Sequence, residues 1–105
     1  MTFKFFLVFL RATIFVFPLG LFSQNVDSTL HDGNWGDPTI WSKGMSPSPT
    51  DYIFIDHNVH LDVDVILILP GTMEISLTGE LCGDHYFTGS YTNYGSIKID
   101  SITTG

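Results

Sequence analysis

Cysteine is nearly missing from this 105-residue chain: Cys82 stands alone, so no intramolecular disulfide can form. A disulfide-stapled secreted mini-protein is thereby excluded. Positive charge is scarce as well, with four Lys and Arg against eleven Asp and Glu and a formal net charge of −7. Such a balance offers no electrostatic footprint for nucleic acid or an anionic membrane. No Gly-x-Ser-x-Gly elbow, phosphate-cradling loop or nucleotide fingerprint occurs. After residue 23 no stretch carries a helical apolar stripe. The length itself allows one small domain and excludes a multidomain enzyme.

What is present points to strands. Ten glycines and nine phenylalanines accompany only 14% charged residues, the balance of a β-rich chain with many turns. Residues 1–23 are a separate matter. Lys4 and Arg11 precede the apolar run Ala12 to Phe22, Pro18 and Gly20 interrupt its end, and Ser23 suits cleavage before Gln24. This is the pattern of a cleaved signal peptide. Arg11 leaves too few consecutive apolar residues for a membrane span, which needs roughly 20. The expectation is export, to the outside or to the cell surface, with no membrane contact after cleavage. Cleavage removes Lys4 and Arg11 but no acidic residue, so the net charge moves from −7 to −9.

From Asp51 onward apolar residues alternate: Ile53 and Ile55, then Val59, Leu61 and Val63, then Val65, Leu67 and Leu69. Period two with β-branched residues predicts strands with one buried face, and Phe54, Ser76 and Lys98 fall on the outward side. A repeat runs through them. Ile53, Ile75 and Ile97 are spaced by 22 residues, as are Ile55, Leu77 and Ile99, and Val65 matches Phe87 and Leu69 matches Tyr91 at the same offset. An offset of this size is one coil of a parallel β-helix. Residues 24–50 differ, being rich in Gly, Pro, Ser and Asp, and Trp35 and Trp41 suit a cap over the first coil. The expected organisation is a signal peptide at 1–23, a cap segment at 24–50 and coils at 51–105.

The run GNWGDPTIWSKGMSPSPTDYIFIDHNVHLD carries Gly33, Trp35, Asp37-Pro38, Trp41, Gly44, Pro47 and Asp51 in order, then a strand and an Asp-rich turn. It resembles the start of bacterial extracellular right-handed parallel β-helix proteins, and a divergent relative of the extracellular all-β domain named for its eight glycines. PGTMEISLTGELCG and YTNYGSIKID resemble the next two rungs. The resemblance implies an all-β fold, a short right-handed parallel β-helix of about two and a half coils with a Trp-containing amino-terminal cap. It implies a secreted or cell-surface protein and brings no catalytic motif.

Each chemical motif has a plainer reading beside it. Asp62 and Asp64, read as two apart on one strand, would share a face about 7 Å apart, a spacing for Ca²⁺ or for an acid and base pair. An acidic outer turn explains them better, because glycosidase carboxylates must flank a sugar. His57 and His60 point to opposite faces of a strand, and Cys82 with His85 lacks the second pair a structural zinc needs. No metal, cofactor or catalytic residue is expected. Tyr86, Tyr91 and Tyr94 lie on a polar, turn-rich stretch and form the expected ligand-binding set, a sugar-stacking surface. The reading is thus a non-enzymatic structural or adhesive module. The alternative is a carbohydrate-binding module of a secreted glycan-active protein. Expected partners are a glycan or cell-surface polymer and a second copy met through the carboxy-terminal coil.

Overall fold

The computed structural model describes residues 24–103. The expectation of a signal peptide lies outside them. Their regular structure is all-β, with eleven strands and one 3-10 turn at Pro38–Ile40. The strands are β1 (Val26–Ser28), β2 (Gly33–Asn34), β3 (Tyr52–Ile55), β4 (Asn58–Leu61), β5 (Val65–Ile66) and β6 (Thr72–Ile75). They continue as β7 (Glu80–Gly83), β8 (Tyr86–Thr88), β9 (Ser90–Asn93), β10 (Ser96–Lys98) and β11 (Ser101–Thr103). Three sheets result, ordered β1-β3-β6-β9, β2-β4-β7-β10 and β5-β8-β11. Every strand pair in them is parallel. From β3 to β11 the chain visits the first, second and third sheet in turn, three times over.

Alternation sets which residues point inward. Ile53, Ile55, Val59, Leu61, Met73, Ile75, Leu81 and Phe87 are fully buried, and Tyr91, Ile97, Ile99 and Ile102 are partly covered against them. Full burial of each aliphatic side chain contributes roughly 1.5–3 kcal/mol. The even spacing of 22 is corrected by the ladders. Ile53 lies opposite Met73 and Met73 opposite Tyr91, spacings of 20 and 18 residues. Val59 lies opposite Leu81 and Leu81 opposite Ile97, spacings of 22 and 16. Val65 does lie opposite Phe87 at 22, but Phe87 meets Ile102 at 15. Ile75 therefore stacks on Ile55, and Ile97 belongs to another sheet. Leu77, expected inside, is 84% exposed in the turn after β6. Leu69 is likewise exposed, before Pro70, and does not meet Tyr91.

The turns carry the change in spacing. A Cβ on Gly95 would lie 2.2 Å from the Gly79 carbonyl oxygen, so the turns after β6 and β9 run in backbone contact. At the other end, the 3-10 turn starts at Pro38, with Asp37 Oδ1 accepting from the Thr39 amide at 2.9 Å. Proline at the first helical position and Asp before it suit such a start. Ile40 then fills the interior beside β2, where a Cβ on Gly33 would meet its Cγ2 at 2.5 Å. Trp35 and Trp41 pack edge to face, centroids 5.1 Å apart, and Trp41 Nε1 donates to the Trp35 carbonyl at 2.8 Å. Both indoles belong to the same buried cluster as the strands.

Candidate functional site

Most carboxylates here are occupied with backbone. Asp62 Oδ1 accepts from the Gly36 amide at 2.9 Å, and Asp32 Oδ1 from the Asn58 amide at 2.9 Å. Asp64 Oδ1 accepts from the Tyr86 amide and from His85 Nδ1, both at 3.1 Å. Asp62 and Asp64 lie between β4 and β5 rather than on one strand, and they clip different neighbouring segments. Asp56 Oδ1 accepts from Ser76 Oγ at 2.6 Å and Thr78 Oγ1 at 2.7 Å. Those hydroxyls hold the Asp56 carboxyl below its ordinary pKa, and the Tyr86 amide and His85 do the same for Asp64. Hydrogen bonds to the ionised form have this effect. These acids work as fasteners between successive segments.

His57 Nδ1 is 2.8 Å from Thr29 Oγ1, which also accepts from the Asp56 amide. His60 is exposed on the outer side of β4. Cys82 is half-buried with its Sγ donating to the Val59 carbonyl at 3.6 Å, and burial followed by the Glu80 charge pushes its thiol up. A protonated thiol is neither nucleophile nor metal ligand. Among the described residues no group of three His, Cys, Asp or Glu is placed to hold a metal ion.

A denser polar cluster lies under the loop before β3. Asp27 is fully buried at an inward position of β1, beside Ile53. Its Oδ1 accepts from the Lys43 amide at 2.9 Å, and its Oδ2 has no partner. Burial raises its pKa, with the Lys43 amide offsetting part of the rise. Asp51, also buried, receives the Lys43 ammonium, the Ser48 amide at 2.8 Å and the Ser48 hydroxyl at 3.1 Å. Burial pushes its carboxyl up, but the Lys43 and Ser48 bonds together bring it below the ordinary value. The cluster ties the loop to β1 and β3.

The three expected ligand-binding tyrosines do not share a sheet. Tyr86 opens β8 in the third sheet and is 54% exposed. Tyr91 is on β9 in the first sheet, its ring turned edge-on to buried Phe87 with centroids 6.0 Å apart. Tyr94 follows β9 in the turn and is 59% exposed. Two open surfaces accompany them. A cleft of about 340 Å³ is lined by Trp35, Ser46, Pro47, Pro49 and the stretch Val63–Leu67. A shallower hollow of about 350 Å³ lies on the outer face of the first sheet, lined by Val26, Ser28, Tyr52 and Phe54. Sequence reading placed Phe54 outward. It did not single out Glu74, whose carboxylate accepts from Tyr52 Oη at 2.5 Å across the diagonal of the β3–β6 ladder.

In comparisons with known proteins, no family model matches the chain, and neither a curated protein nor a solved structure does.

Proposed function

We propose that this chain is an exported structural or adhesive module, wound as a short right-handed parallel β-helix and without catalysis of its own. The observation that carries the reading is the cyclic order in which β3 to β11 visit the three parallel sheets. A chain that returns to each sheet in the same order and direction is travelling around a common interior. Right-handedness rests on the general preference of parallel strands for right-handed crossovers. The employment of Asp32, Asp56, Asp62 and Asp64 in fastening segments supports a scaffold rather than a reaction centre. Among the described residues β9, β10 and β11 each end their sheet, and unpaired strand edges of this kind favour addition of strands from a second copy.

Export is tested by expressing the full chain in a bacterial host and taking the intact mass of the exported product. A species beginning at Gln24, and digested when protease is added to intact cells, is the expected result. A protein that stays inside the cell with Met1 to Phe22 attached overturns the reading.

A further inference from the structure

The outer face of the first sheet is unlike the rest of the surface. Its outward side chains stand in two rows across the sheet: Val26, Tyr52, Thr72 and Ser90 in one, and Ser28, Phe54, Glu74 and Thr92 in the other. Neighbours within a row are about 4.8 Å apart and the rows about 7 Å apart. Two aromatic rings on β3 are thus flanked by Val26 and the Ser28 hydroxyl on one side and by the Thr72 hydroxyl and the Glu74 carboxylate on the other. Tyr52 Oη holds Glu74 Oε1 at 2.5 Å, which fixes the carboxylate beside the Phe54 ring. A carboxylate has about four acceptor sites, so Glu74 keeps capacity for further donors.

We propose that this face binds a neutral polysaccharide chain, with Phe54 and Tyr52 as the stacking platform and Glu74 as acceptor for sugar hydroxyls. The chemistry argues against an acidic polymer and against an added peptide strand. A sugar ring presents an apolar C–H face and a rim of hydroxyl donors, and the face offers an apolar ring surface beside hydrogen-bonding groups. No Lys or Arg occupies either row, and the chain's formal net charge of −7 repels acidic polymers. A peptide adding as a strand needs a free sheet edge, whereas β3 and β6 are paired on both sides. The aliphatic surface at Val63, Ile66, Ile68 and Leu69 is more apolar but has no aromatic platform. The proposal rests on the glycan-binding alternative and is independent of export.

The test uses the purified full-length product, with cellohexaose, xylohexaose and chitohexaose as neutral probes and hexagalacturonate as the acidic one. Binding is followed by chemical-shift changes in heteronuclear NMR spectra. At least one neutral probe should bind and the acidic one should not. Phe54→Ala and the isosteric Glu74→Gln should each weaken binding by about fivefold to tenfold, the scale of one stacking or hydrogen-bonding contact. Unchanged spectra elsewhere show that these variants fold. Tyr86→Ala should bind as the parent does. Failure of every neutral probe overturns both the face and glycan binding. Binding that survives Phe54→Ala and Glu74→Gln but is lost in Tyr86→Ala overturns the face while leaving glycan binding standing elsewhere.

Discussion

Asp27 occupies a ladder position whose later members, Ile53, Met73 and Tyr91, are all apolar or aromatic. A buried carboxylate with one oxygen unpartnered opposes folding when ionised. Its raised pKa means that its contribution is fully present below the ordinary 3.8 and is lost as pH rises through the raised value. Asp51 behaves oppositely. Its lowered pKa gives a contribution present above 3.8 and lost as pH falls through the lowered value. Urea unfolding at a series of pH values should separate the two. Asp27→Asn should gain on the parent progressively as pH rises above the ordinary 3.8 and show no trend at lower pH. Asp51→Asn should lose most at neutral pH and progressively less below about pH 4. Parallel curves for both variants would contradict the assignment of these two carboxylates.

Among elements, β6 tests the register most directly. Ile75 is fully buried beside Ile55, while Leu77, two residues later, is in the solvent. Ile75→Ala should cost about 2–5 kcal/mol in thermal melts, and Leu77→Ala should stay within about 0.5 kcal/mol. Equal losses would restore the 22-residue alignment. The reason that alignment looked sound is physical. Side chains on a strand alternate with period two, so a shift of two residues leaves every inward residue inward. Ile53, Ile55, Ile75 and Leu77 fit spacings of 20 and 22 alike, and only the turn decides between them. Strand character, the outward place of Phe54 and burial of the two indoles were accordingly legible from residue types. The meeting of Tyr52 with Glu74 was not: either spacing leaves the two within reach, opposite at 22 and diagonal at 20, and residue type alone does not say that a phenol and a carboxylate on an outer face will bond. Asp27 was hidden for another reason: a buried carboxylate breaks the alternation by which inward positions are recognised.

At the scale of the whole molecule, the hydrogen bonds of all three sheets join one pass of the chain to the next. Traction applied between residues 24 and 103 therefore meets these bonds one row at a time, as a zipper is opened, and never loads many rows together in shear. The spacings between paired residues, from 26 down to 15, set the length of chain that each failure releases. Force spectroscopy should show low-force steps of roughly 50–90 Å, each the contour length of one pass. Rupture of the described region in a single high-force event would contradict this mechanical picture. A chain paired in this way gives ground gradually and dissipates work as it lengthens. If the adhesive role we propose holds, many copies sharing a load would each yield before their neighbours are torn free.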